Sequence, residues 1–146
     1  MDNNSPDTSA EESAVPDRDG FLALLVSMVN ASGLAMDITL TVGGLLVSGT
    51  MIPAEKFILD FGGKFTADLT DPQSREETLE SFKAQADAAR LAAESNLPPL
   101  FVHLENAQFF MPAGAGPIPQ RATGNLWRGR LASVDGWHLG ALKNTG

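Results

Sequence analysis

Asp37 to Ile52, DITLTVGGLLVSGTMI, constrains the fold more than any other stretch, because alternation and turn chemistry agree there. Ile38, Leu40 and Val42 alternate with Asp37, Thr39 and Thr41, and Gly43-Gly44 supplies the two positive-φ positions of a two-residue primed turn. That turn sets the register of a β-hairpin. Val42 faces Leu45, Leu40 faces Val47 and Ile38 faces Gly49, giving one apolar face, with Thr39, Thr41, Ser48 and Thr50 on the other. Gly49 therefore falls on the apolar face, where a residue without a side chain marks a bend or the close approach of another backbone.

A chain of 146 residues, 43% of them hydrophobic, buries a core without metal or disulfides, so residues 20–146 are read as one domain. The absence of cysteine excludes thiol catalysis and cysteine metal sites and suits a reducing cytoplasm. No run approaches the roughly 20 apolar residues of a membrane span, and no basic leader precedes an apolar run, so the expected location is cytoplasmic without a membrane partner. The net charge of −8 works against nucleic acid and anionic lipid. That charge is uneven. Residues 1–19 carry six acids against Arg18 and too little apolar surface to offset ordering, so they read as a disordered acidic tail. Such a tail either solubilises the chain or docks on a basic surface. Residues 121–146 are the basic segment, with Arg121, Arg128, Arg130 and Lys143 against Asp135.

Helices flank the hairpin. After Asp19 as N-cap, Leu22, Leu25, Val26 and Val29 share one helical face before Gly33 stops the helix. Phe21, Leu24 and Met28 widen that face until the helix reads as largely buried, closing one end of the sheet or meeting another subunit. Residues of about 53–96 form a helical insertion between the second and third strands. Pro53 fits the first position of a helix carrying Phe57, Phe61 and Phe65, which Gly62-Gly63 is expected to weaken or break. Asp71-Pro72 caps and starts a second helix. Its apolar seam of Leu79, Phe82, Ala86, Ala89 and Ala93 permits close approach, either to its own domain or to the same helix of another subunit.

From Leu100 the chain returns to strand. Leu100, Val102 and Leu104 share one face and His103 lies on the other; without a second ligand nearby it reads as structural rather than metal-binding. The proline- and glycine-rich loop from Pro112 to Gly124 lacks the lysine and hydroxyl residue of a phosphate loop. Asn125 to Leu142 reads as two short strands joined near Ser133 to Gly136. Arg128 and Arg130 point to one side and Trp127 and Leu131 to the other, so the arginines are exposed together above an anchoring tryptophan. They are positioned for an acidic partner, or for internal pairing with Asp37 or Glu105.

With Phe21 to Val29, ITLTVGGLLVSGTMI, FVHLENAQFF and GNLWRGRLASVDGWHLG in view, the chain resembles the gas vesicle protein U family over about Gly20 to Leu142. The resemblance implies a non-enzymatic, gas vesicle-associated accessory protein. It would assist vesicle formation or modulate vesicle interactions by binding shell or other accessory proteins. No catalytic residue, metal or cofactor comes with it. The order of a leading helix, a bent hairpin, an LxVxL-type strand and an arginine-glycine strand is also similar to the Sm-like small β-barrel. The expected fold is therefore α+β: a five-stranded antiparallel barrel or curled sheet with an N-terminal helix and the helical insertion. Exposed strand edges and surplus apolar helix surface further imply a homo-oligomer. Two readings compete with the accessory role. An Sm-like nucleic-acid chaperone is disfavoured by the acidic charge, and a small hydrolase using His103 or His138 requires a serine or carboxylate partner.

Overall fold

The computed structural model describes residues 17–114 and 116–143, so the expected acidic tail lies outside the described residues except for Asp17, Arg18 and Asp19. In chain order the elements are α1 (Gly20–Ser32), β1 (Met36–Val42), β2 (Leu45–Met51), α2 (Ala54–Thr66), α3 (Pro72–Glu94), β3 (Phe101–Phe110), β4 (Pro117–Ile118), β5 (Trp127–Arg130) and β6 (Gly136–Leu139). A single 3-10 turn, Leu131–Ser133, joins the last two strands.

The hairpin register is the one its turn demands: Val42 pairs with Leu45, Leu40 with Val47 and Ile38 with Gly49. The sheet around it runs β4-β3-β2-β1-β6, with β5 also pairing with β3, and every pairing is antiparallel. Two points correct the five-stranded barrel. A sixth strand, β4, leaves the proline-rich loop to pair with Phe109 and Phe110, and the sheet does not close. It stays open because β5 and β6 are not a hairpin. β5 lies against Phe101–Leu104, whereas β6 lies against Ile38–Thr41. The 3-10 turn carries the chain between them and places Leu131, 1% exposed, in the core. The crossover is tied to the hairpin turn: Asp135 N–H donates to the Thr41 carbonyl at 2.8 Å, and the Asp135 carboxylate accepts from Gly43 N–H at 3.0 Å.

Gly49 marks the bend. Between Ser48 and Thr50 it opposes two residues of β3, Asn106 and Ala107, in a β-bulge. A Cβ on Gly49 would lie 2.8 Å from the Glu105 carbonyl oxygen and 3.3 Å from Ala107 Cα. Asn106 takes the left-handed conformation, φ 53°. Ala107 N–H, turned out of the ladder, donates to the Asn125 carbonyl at 3.0 Å.

The core joins Leu22, Val26 and Val29 of α1 to Ile38, Leu40, Val47, Met51, Val102, Leu104 and Leu131. Asp19 caps α1, accepting from the N–H groups of Phe21 at 2.9 Å and Leu22 at 3.2 Å. The expectation that α1 is largely buried is corrected: Phe21, Leu24 and Met28 are 60%, 53% and 50% exposed. The helix sits on the sheet with one face, and no described element covers the opposite one. The hairpin's polar face is the converse case, because the C-terminal segment covers part of it. Thr39 and Ser48 are buried there. The Thr39 hydroxyl lies 2.8 Å from the Gly140 carbonyl, and Ser48 Oγ accepts from Leu142 N–H at 2.7 Å.

The insertion is a helical hairpin. Pro53 stands one position earlier than expected, before α2, whose Ala54 N–H donates to the Asn30 side chain of α1 at 3.0 Å. Gly62-Gly63 does not break α2, which continues to Thr66. Gly62 is buried instead against α3: a Cβ there would stand 2.9 Å from Phe82 Cβ, so glycine is what lets the two helices approach. Asp71 caps α3 through Ser74 N–H at 3.2 Å, as the Asp-Pro pair implies.

Candidate functional site: a groove beside Arg128

The residues singled out by sequence fall on two sides of one groove. On β5, Arg128 pairs in register with His103 and Arg130 with Phe101, on the side of the sheet facing α2; Trp127 pairs with Leu104. Both arginines are exposed and Trp127 is half-buried against the core. Its indole folds over Gly129, leaving no room for a Cβ there. Arg128 spreads its guanidinium 3.7 Å above the Phe101 ring centroid, a cation–π contact.

Neither arginine has a carboxylate partner among the described residues. The internal partners proposed for them are engaged elsewhere. Asp37 accepts from the Thr50 hydroxyl at 2.7 Å, and Glu105 pairs with Lys56 at 2.9 Å. The ammonium of Lys56, also 2.6 Å from Asp60, is held above its ordinary pKa by hydrogen bonds to Asp60 and then Glu105. Glu105 thus belongs to α2, and the arginines are left to solvent.

The α3 seam forms the other side. Ala86 is 2% exposed and Leu79, Phe82, Ala89 and Ala93 are half-buried within the chain's own fold. Phe82 meets Phe61 and Phe65 edge-on, each at 5.6 Å. Between this helical hairpin and β5 lie two adjoining hollows that share Ile58 and Arg128. One, of about 460 Å³, is lined by Phe57, Phe61, Phe82 and Gln85; the other, of about 330 Å³, by Ala89, Ala93, Leu97, Pro99, Phe101 and His103. The result is an apolar channel with a guanidinium at its midpoint.

His103 forms part of the floor. Its ring lies 4.6 Å from Phe57, and it is 5% exposed. Its Nδ1 has no hydrogen-bond partner among the described residues. Burial, and secondarily the charge of Arg128, lowers its pKa from 6.5 to about 4, so it is neutral at pH 7. His138 is exposed on β6, with Nδ1 3.1 Å from the Leu139 carbonyl. Neither histidine is hydrogen-bonded to a serine or carboxylate among the described residues, so the geometry assembles no hydrolytic dyad. No cluster of three or more His, Asp or Glu suited to a metal occurs among the described residues.

Sequence reasoning found Arg128 and Phe82 but not that they line one hollow. Phe57 and Phe61 stand at the four-residue spacing of an ordinary core helix, to which a ligand pocket is the alternative reading, while Ile58 and Gln85 carry no signal of a site. The usable clue was that the arginine side of β5 also carries His103 and Phe101 once the strand pairing is known.

Fold and groove together define a small α+β protein built on an open antiparallel sheet, with a surface channel rather than an enclosed cavity. Among the described residues no helix is long and apolar enough to cross a membrane. The chain belongs to the GvpU-like gas vesicle protein family, whose model, Gas vesicle protein GvpU-like, matches residues 19–142. The hairpin and C-terminal motifs that carry the resemblance lie within that match, and membership associates the protein with gas vesicles. Nothing among curated proteins or solved structures matches the chain.

Proposed function

We propose that this protein is a non-enzymatic accessory factor of gas vesicles, working in the cytoplasm by stoichiometric binding to shell or other accessory proteins. It assists vesicle formation or modulates how vesicles interact. The observation that carries the binding site is Arg128: a guanidinium without an ion-pair partner among the described residues, resting on Phe101 at the midpoint of an apolar channel in an acidic protein. Such a surface suits a segment that brings both a carboxylate and apolar side chains. Arg130 extends the positive side of β5, and Trp127 holds the strand from the core side.

The same reading makes the protein a homo-oligomer. Its support is the exposed stripe of Phe21, Leu24 and Met28 on α1, with Leu139 exposed on the edge strand β6. The intrachain packing of the α3 seam leaves that stripe the better subunit surface.

Deleting the gene in a vesicle-forming host tests the role, and complementation with Arg128→Ala/Arg130→Ala tests the site. Vesicles should change in number, shape or clustering on deletion, and the double variant should fail to restore them. Unchanged vesicles after deletion would sink the reading.

A further inference from the structure

The channel has a near neighbour in sequence. Arg18, almost the first described residue, donates from its guanidinium to the carbonyl of Pro99, which lines the Arg128 channel. The Arg18 side chain thus ties the start of the described residues to the rim of that channel. Residues 1–16 carry Asp2, Asp7, Glu11 and Glu12 and no basic residue, with Ala14-Val15-Pro16 just before the anchor. Glu11 and Glu12 lie seven and six residues before Arg18, a reach of about 20 Å or more in extended chain. Arg128 and Arg130, by contrast, have no carboxylate partner among the described residues. An acidic segment with a short apolar stretch is thus tethered beside an apolar channel whose guanidinium has no carboxylate partner among the described residues.

We infer that the N-terminal arm is the channel's own occupant: Glu11 or Glu12 pairs with Arg128, and Ala14-Val15-Pro16 lies along the apolar wall by Pro99. The arm acts as an intramolecular competitor that an acidic partner must displace. Tethering favours it, because a linked segment is present at an effective concentration in the millimolar range even when each contact is weak. Charge pairing is what holds it. Salt should therefore release the arm, since the screening length falls from about 10 Å at 0.1 M to about 3 Å at 1 M. The arm's docking rests on the reading of the channel as a docking surface, and not on which vesicle protein uses it.

The chain has no cysteine, so Ser9→Cys in the full-length protein gives one attachment point for a nitroxide spin label. At low salt the label should quench the amide signals of Phe82, Gln85 and Arg128. That quenching should be lost at 1 M salt, in Glu11→Gln/Glu12→Gln and in Arg128→Ala/Arg130→Ala. No quenching at these residues, or quenching that survives salt and both double variants, would overturn the inference. Mixing spin-labelled protein with an isotope-labelled copy lacking the spin label separates the remaining case. Quenching only between copies would overturn the intramolecular assignment. These readouts need no vesicle protein, so an arm that never docks overturns the inference even where the double arginine variant fails to restore vesicles. An arm that docks stands even where deletion leaves vesicles unchanged.

Discussion

Trp137 Nε1 donates to the carboxylate of Asp19 at 2.7 Å, joining residues 118 apart in sequence. The same carboxylate caps α1, while Phe21 stacks on the Trp137 ring with centroids 5.6 Å apart. One side chain thus fastens the start of the first helix to the last strand. Its pKa lies below 3.8 chiefly because of the Trp137 hydrogen bond, so this link is present at neutral pH and is lost only as pH falls through the lowered value.

Asp19→Ala removes cap and clasp together and should lower the urea midpoint. Trp137→Phe keeps the stack and removes only the donor. A double-mutant cycle by urea unfolding should show the two losses to be less than additive; additive losses would mean the clasp contributes nothing.

Three glycines should separate by their surroundings. Gly49→Ala sets a methyl group 2.8 Å from a backbone oxygen, and Gly62→Ala sets one 2.9 Å from Phe82 Cβ, whereas Gly63 meets nothing within 4 Å. The first two should destabilise by about 1–3 kcal/mol through overpacking. Gly63→Ala should stabilise α2 by about 0.5–1 kcal/mol through helix propensity. Thermal midpoints measured for the three variants check the order.

Arg128→Ala/Arg130→Ala should leave the unfolding midpoint nearly unchanged, because the cation–π contact of an exposed arginine contributes about 0.5–1 kcal/mol. Binding to co-purified vesicle proteins should fall in the same variant. Trp127→Ala should instead cost about 3 kcal/mol, since the ring packs against the core and over Gly129. A double arginine variant as unstable as Trp127→Ala would show that the arginines serve the fold.

His103 gives a pH dependence with a definite sign. Its pKa is near 4 in the folded protein and 6.5 ordinarily, so the unfolded chain takes up the proton first. Stability is therefore full above about pH 6.5 and falls as pH drops toward 4, by about 3 kcal/mol in all. His103→Phe should flatten that part of the profile. It should also cost little at pH 7.5, because the buried Nδ1 it removes has no partner among the described residues. Urea unfolding at pH 7.5 and 4.5 measures both, and an unchanged slope in the variant would contradict the assignment.

Much of the fold was legible because its signals are local. Gly43-Gly44 permits only a turn whose register then follows, and Asp19 and Asp71 cap helices through side chains within three residues of their targets. The candidate site was legible only in pieces. Arg128 and Arg130 could be placed on one side of a strand by alternation, but whether that side met Asp37, Glu105 or solvent depended on Lys56 and Thr50 taking those carboxylates first.

By itself, then, the sequence determined whatever rests on bonding within a few residues: the hairpin and its pairing, the helix starts, the bend at Gly49 and the family signature. Only tertiary structure decided which faces are covered. It left Phe21, Leu24 and Met28 exposed although their helix is apolar nearly all round, and it buried Thr39 and Ser48 beneath a C-terminal segment 101 and 94 residues away. It also kept α2 continuous through Gly62-Gly63, because close packing on Phe82 outweighs the weak helix propensity of glycine. The sheet is open for a related reason. Alternation specifies that β5 and β6 are strands, but not that Leu131 between them drops into the core and sends them to different neighbours.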